Sequence, residues 1–133
     1  MKKAVIFSDG ASSGNPGPSG IGVVIRLGDK EHEISEHIGL ATNNVAEYKA
    51  LIAALKKAID LHIEEVTVNL DSELLVRQVN GQYRVKNKGL LPLFAEVIHL
   101  LKQFKCYNIY HIPRVENKEA DLLAKKASAG KKK

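Results

Sequence analysis

Residues 4–10 read Ala4-Val5-Ile6-Phe7-Ser8-Asp9-Gly10. Four consecutive apolar residues stopped by a serine, an acid and a glycine predict a strand covered on both faces, and so the centre of a sheet. The stretch Gly10 to Gly20 that follows is rich in Gly, Ser and Pro and reads as a loop. Ile21, Val23, Ile25 and Leu27 then alternate on one face of a second strand, and Gly28-Asp29 predicts a hairpin turn into Glu31–Ile38. That third strand has only Ile34 and Ile38 as aliphatics and belongs at an edge. From Val45 the period changes: Tyr48, Leu51, Ile52, Leu55 and Ile59 form the stripe of an amphipathic helix started by Asn43-Asn44. Glu65–Leu70 alternates as a strand, and Ser72–Asn80 reads as a short helix ended by Gly81. A basic loop leads to a helical stripe through Leu93, Val97, Leu100, Leu101 and Phe104, then a strand over Tyr107–Ile112 and a last helix carrying Ala120, Leu123, Ala124 and Ala127. The expected fold is α/β: a five-stranded mixed sheet, three antiparallel strands first and two parallel ones after, flanked by helices and joined late in the chain by right-handed crossovers.

A chain of 133 residues with 44% hydrophobic residues fits one domain, expected over 1–129, with 130–133 as a basic C-terminal tail. Twenty Lys+Arg against fifteen Asp+Glu give a net charge of +5, which favours an anionic partner without identifying one. The single cysteine, Cys106, excludes an internal disulfide and a Cys-based zinc site, and reads as a buried or half-buried thiol in a reducing compartment. The run Ala4–Phe7 is too short for a signal-peptide core, and the longest apolar run elsewhere is Leu51–Leu55. The expectation is a soluble, cytoplasmic monomer with no membrane association and no obligate protein partner.

Ligands collect at the carboxyl ends of parallel strands. Asp9 directly follows the first strand and Asp71 the fourth. A crossover through the 45–61 helix pairs those strands in parallel and brings both acids to one end of the sheet, where Glu47 in the first turn of that helix can join them. Each acid also has an ordinary local role: Asp9-Gly10 as a turn dipeptide, Glu47 in a capping box with Asn44, Asp71 as a helix cap, Asp121 as a solvated helix charge. None of those roles requires the acids to share one place. Clustered carboxylates repel one another unless cations neutralise them, and Mg²⁺ fits because it takes few protein carboxylates and leaves positions for phosphates.

Four blocks of the sequence resemble type 1 ribonuclease H (ribonuclease HI): Phe7-Ser8-Asp9-Gly10-Ala11-Ser12 with Gly14-Asn15-Pro16-Gly17; Thr42-Asn43-Asn44-Val45-Ala46-Glu47-Tyr48; Asp71-Ser72; and Glu116-Asn117-Lys118-Glu119-Ala120-Asp121. They occur in family order and span nearly the whole chain. The resemblance implies a ribonuclease H-like fold in which Asp9, Glu47, Asp71 and Asp121 are catalytic and hold two Mg²⁺ or Mn²⁺ ions, and it supplies Asp121, which strand order does not place. It implies an endonuclease that cuts the RNA strand of RNA/DNA hybrids by two-metal catalysis, leaving 5′-phosphate and 3′-hydroxyl ends. With those four acids set aside, eleven acids face twenty bases, so the remaining surface is more basic than the net charge suggests. By the same resemblance, Gly10, Ser12, Asn43 and Asn44 lie along the RNA minor groove, where contact with the 2′-hydroxyl separates RNA from DNA. Asn15 and Thr42 match positions that hold a DNA-strand phosphate.

The chain departs from the family pattern in two ways. Relatives often carry a histidine in the loop before the last acid, whereas Pro113-Arg114-Val115-Glu116-Asn117 has none. Arg114 is the substitute assigned to the catalytic set, able to hold a phosphate but not to act as a general base. His111 nearby falls in the strand pattern, and His32, His37, His62 and His99 lie away from the blocks. The basic helical protrusion of many bacterial relatives is also absent, leaving Arg77, Tyr83, Arg84, Lys86 and Lys88 as a reduced grip on the hybrid. Lys125-Lys126 and Lys131–Lys133 read as non-specific phosphate attraction at a solvated helix end. There is no G-x-x-x-x-G-K-[ST] loop, no G-x-S-x-G elbow and no zinc-spaced histidine pair. The remaining alternatives are another nuclease of the same fold and a catalytically silent hybrid-binding protein.

Overall fold

The structure, a computed structural model, describes residues 2–129; the basic tail lies outside them. In chain order the elements are β1 (Lys3–Ser12), β2 (Gly17–Leu27), β3 (Lys30–Ala41), α1 (Asn43–Asp60), β4 (Glu65–Leu70), α2 (Glu73–Val79), α3 (Leu91–Leu101), β5 (Cys106–His111), a 3₁₀ turn (Arg114–Asn117) and α4 (Lys118–Ala129). The sheet order is β3-β2-β1-β4-β5, with β1, β2 and β3 antiparallel and β4 and β5 running parallel to β1. This is the expected mixed sheet, with β1 at its centre and β3 at an edge.

One face of the sheet carries α1, α2 and α3, and between them lies the core. Ile6, Val23, Ile25, Val66 and Val68 meet Tyr48, Leu51, Leu55, Val97 and Leu101, all buried. The period-2 and period-3.6 patterns thus point at the same layer. The other face holds α4 alone, packed on β2, β1 and β3. The first strand is therefore not covered on both faces along its length: Ala4 and Ile6 are buried, but Val5 is 39% exposed. Cys106 is exposed for the same reason, since it begins β5, an edge strand that α4 does not reach.

The glycines around position 20 do not mark a loop. β1 runs on to Ser12 and β2 begins at Gly17, so the connection shrinks to residues 13–16. Gly20 and Gly22 are instead strand residues on which α4 lies backbone to backbone. A Cβ on Gly22 would stand 2.2 Å from the Ala120 carbonyl oxygen, and one on Gly20 2.4 Å from the Ser128 nitrogen. Ala120, Ala124 and Ala127 supply the matching small face of the helix. Among the described residues, no helix is long and apolar enough to cross a membrane.

Candidate active site

Strand pairing places the first two acids. Phe7 is in register with Asn69 in the parallel β1/β4 pair, so Asp9 and Asp71, each two residues further along, come side by side where β4 ends and β1 continues. Gly10 brings in the third. A Cβ there would fall 2.3 Å from the Ala46 carbonyl carbon and 2.4 Å from the Glu47 nitrogen, so only glycine lets the first turn of α1 rest on β1. Carboxylate oxygens of Asp9, Glu47 and Asp71 consequently lie within 4.8 Å of one another. Asp121 arrives from the opposite face on α4, whose height above the sheet is fixed by Gly20 and Gly22.

The ordinary local roles of these acids are filled by other residues or do not arise. Asp9 lies inside β1 and not in a turn. α1 is capped by Thr42, whose Oγ1 accepts from the Val45 N–H at 3.2 Å, so the helix does not start on an Asn43-Asn44 cap and Glu47 completes no capping box. α2 is capped by Ser72, whose Oγ accepts from the Leu75 N–H at 3.2 Å, which leaves Asp71 without a capping role. The Asp121 side chain is only 15% exposed and pairs with Lys125 Nζ at 3.1 Å and Arg114 Nη2 at 3.9 Å.

Gathering acids this closely is electrostatically costly. Burial, with the charges of Asp71, Glu47 and Asp121 adding to it, pushes the Asp9 carboxyl up to about 9. Burial and then Asp71 push Glu47 up to about 7, opposed by the Arg114 guanidinium. Asp9 Oδ2 and Asp121 Oδ1 are buried without a hydrogen-bond partner. Buried carboxylate oxygens with no N–H donor, in an all-oxygen donor set, fit a hard divalent cation.

A residue that pattern reading passed over completes the arrangement. Asn117, 1% exposed, donates from Nδ2 to the Ser8 carbonyl oxygen at 3.0 Å and to Asp71 Oδ2 at 2.9 Å, tying the end of β4 to β1. Its only signal in the sequence is its place four residues before Asp121 in the last block. Asn117→Ala is expected to cost about 1–3 kcal/mol, chiefly by stranding the buried Ser8 carbonyl, and to weaken Mn²⁺ binding by releasing Asp71. Chemical denaturation paired with a Mn²⁺ titration checks both.

Glu47 and Asp71 open into a cavity of about 610 Å³, lined also by Gly10, Ser12, Asn43, Ser72, Arg114 and Lys125, with Asp9 and Asp121 behind its wall. Ser12 and Asn43 are joined, since the Ser12 N–H donates to Asn43 Oδ1 at 2.9 Å, and the Asn43 N–H in turn donates to Asn15 Oδ1 at 3.0 Å. Asn15, Thr42 and Asn44 lie beside the cavity without lining it, Asn15 and Asn44 being exposed. His111 is exposed and outside the lining.

Comparison with known proteins agrees with this fold. A family described as reverse transcriptase-like matches residues 7–127. A bifunctional protein of Mycobacterium tuberculosis is 44% identical over 128 residues, covering 94% of this chain, which spans only 35% of that protein's length. Its solved N-terminal RNase H domain superposes with a TM-score of 0.91 over 95% of this chain and 98% of its own. Ribonuclease HI of Halobacterium salinarum is 41% identical, covering 91% of this chain and 62% of its own. LC11-RNase H1, isolated from compost and solved in complex with an RNA/DNA hybrid, is 43% identical with a TM-score of 0.86, over 93% and 95% of the two chains. With the match running from the strand that carries Asp9 to the helix that carries Asp121, the chain belongs to the ribonuclease HI family.

Proposed function

We propose that this chain is a metal-dependent endonuclease that hydrolyses the RNA strand of RNA/DNA hybrids. The observation that carries the reading is the convergence of Asp9, Glu47 and Asp71 within 4.8 Å, with Asp121 beside Asp9 and with Glu47 and Asp71 lining a cavity, in a chain of this family. Relatives bearing the name ribonuclease H, one of them solved with a hybrid bound, support the substrate class.

In this reading Asp9, Glu47, Asp71 and Asp121 hold two Mg²⁺ or Mn²⁺ ions. The chemistry such cations supply when bound is activation of water and stabilisation of the departing 3′ oxygen in an in-line displacement at phosphorus, which leaves 5′-phosphate and 3′-hydroxyl ends. The protein's own part is positioning. Asn117 holds Asp71, the Gly10 contact holds Glu47, and the Ser12–Asn43–Asn15 chain of hydrogen bonds fixes the polar groups that face the RNA sugar. Gly10, Ser12, Asn43 and Asn44 select the 2′-hydroxyl, while Thr42 and Asn15 receive a DNA-strand phosphate. The basic loop after α2 extends the grip: Tyr83 is 49% exposed and stacks under Arg77, whose guanidinium carbon is 5.4 Å from the ring centroid.

The deciding experiment is cleavage of matched 5′-labelled RNA/DNA, RNA/RNA and DNA/DNA duplexes with Mg²⁺, Mn²⁺ or EDTA. Internal cuts in the RNA of the hybrid, abolished by EDTA, are expected. Binding without cutting under every metal condition would establish a silent hybrid-binding protein instead. Arg114, 73% exposed and facing Asp121 across the cavity mouth, is placed to hold a phosphate. Arg114→Ala is expected to lower kcat about tenfold, a loss of roughly 1.4 kcal/mol in transition-state stabilisation, with the fold unchanged by circular dichroism. An unaltered kcat would return it to the surface.

A further inference from the structure

Asp121 stands between two cations of unequal reach. Lys125 Nζ is 3.1 Å from its Oδ2 and Arg114 Nη2 is 3.9 Å from its Oδ1. Lys125 follows Asp121 by one helical turn, a spacing at which exposed pairs stabilise helices slightly and do nothing else. Two features set this pair apart. The carboxylate is only 15% exposed while the lysine side chain is 58% exposed, and Lys125 lines the cavity together with Glu47, Asp71 and Asn43. Asp121 Oδ1 is buried on the side of Asp9 with no N–H donor in hydrogen-bond distance, so Lys125, on Oδ2, is the nearer of the two cations to this carboxylate.

An ammonium in that position supplies part of the neutralising charge that a divalent cation on the same carboxylate would supply. Lys125 holds Oδ2 while Oδ1 stays open toward Asp9, and two cations sharing one carboxylate oppose each other through their like charges. Lysine is a flexible point charge with strong affinity for phosphate, and its exposed stem lets it leave the carboxylate for an anion entering the cavity. We propose that Lys125 is a positioning residue that competes with the divalent cation for Asp121 and is drawn off by a phosphate of the bound hybrid, so that substrate binding frees the carboxylate for the metal. By linkage, hybrid and cation then each raise the affinity for the other. This rests on the nuclease reading above and adds an order to it: the site is completed when the substrate is present.

The test uses the whole chain in two single-ligand states, so turnover does not enter. Lys125→Met keeps the aliphatic stem and deletes the charge; Lys102→Met, at the end of α3, removes the same charge outside the cavity. In substrate-free protein, Mn²⁺ titration by isothermal calorimetry is expected to show Lys125→Met binding about 3–10-fold more tightly than wild type, with Lys102→Met unchanged. In EDTA, hybrid binding by fluorescence anisotropy is expected to weaken about 3–10-fold in Lys125→Met and less in Lys102→Met. A residue with only a helix-stabilising role moves neither quantity in these opposite directions. Mn²⁺ affinity that stays level or falls in Lys125→Met overturns the proposal, as does unchanged hybrid affinity. Wild-type protein that binds neither Mn²⁺ nor hybrid overturns the nuclease reading and the proposal with it, a result distinct from failure of the lysine variant alone.

Discussion

Asp9→Asn is expected to abolish hydrolysis and, at the same time, to make the metal-free protein more stable at pH 8. The loss follows from deleting the carboxylate at the centre of the cluster, and at least a thousandfold drop in rate, about 4 kcal/mol, is the expected size. The gain follows from electrostatics. Burial and three neighbouring acids hold the Asp9 proton to about 9 in the folded chain, against an ordinary value of 3.8. The folded state therefore binds protons that the unfolded state has released, and stability must fall as pH rises between those limits. Glu47, pushed from 4.5 up to about 7, adds to the slope in the lower part of the range. Favourable contributions from both groups are complete below about pH 4 and are lost progressively toward pH 9 in metal-free protein. Asparagine at position 9 keeps the acceptor for the Gly10 N–H, bonded at 3.0 Å in the parent, and removes the charge. A gain on the order of 2 kcal/mol, or roughly 5–10 °C in Tm, is expected at pH 8 and little at pH 4. Scanning calorimetry at the two pH values checks it. A variant equally stable with the parent at both, or one that still cuts hybrid at the parental rate, would mean that Asp9 is not the focus of the cluster.

Gly10→Ala should be the single-methyl change that most directly displaces a carboxylate of the site. The added carbon has no side chain to displace, because the atoms it meets at 2.3–2.5 Å are backbone atoms of Ala46 and Glu47. α1 must therefore lift from β1 at the turn that carries Glu47. A destabilisation of about 2–4 kcal/mol is expected, with a fall in kcat of a hundredfold or more from the misplaced carboxylate. Urea unfolding and single-turnover cleavage measure the two effects separately. Normal stability with lost cleavage would shift the role of Gly10 from packing to direct substrate contact.

The contrast between Asp9 and Asn117 marks what a sequence can reveal about this site. Asp9, Glu47 and Asp71 sit on or beside elements whose periodicity is plain, so strand order alone brings two of them together and places the third nearby. Asp121 rides on the opposite face, and its position depends on Gly20, which local reading assigns to a loop, and on Gly22, whose role as a helix seat strand alternation does not record. Asn117 works across 109 and 46 positions of the chain, through contacts with Ser8 and Asp71 that no periodic pattern records. The start of α1 is capped by Thr42 and not by Asn43-Asn44 for a related reason. Thr42, Asn43 and Asn44 are all good capping residues, and the choice falls to Thr42 where Asn43 is engaged by the Ser12 and Asn15 contacts of the neighbouring connection. The family resemblance supplied Asp121; the glycine seam explains why the acid can be there.

The two edges of the sheet also differ in how they would receive another strand. β3, which looked a poor strand for want of aliphatics, carries Lys30, Glu31, Glu33 and Glu36 along its length. A neutral strand adding there would have to strip water from those charges, so the composition that weakens the strand guards it against aggregation. β5 has no such guard: from Cys106 to Tyr110 it bears no Lys, Arg, Asp or Glu, and Tyr107 and Tyr110 are 43% and 51% exposed. Its protection is brevity, six residues against the twelve of β3. Solubility of this small domain is thus set unequally, by charge at one margin and by length at the other.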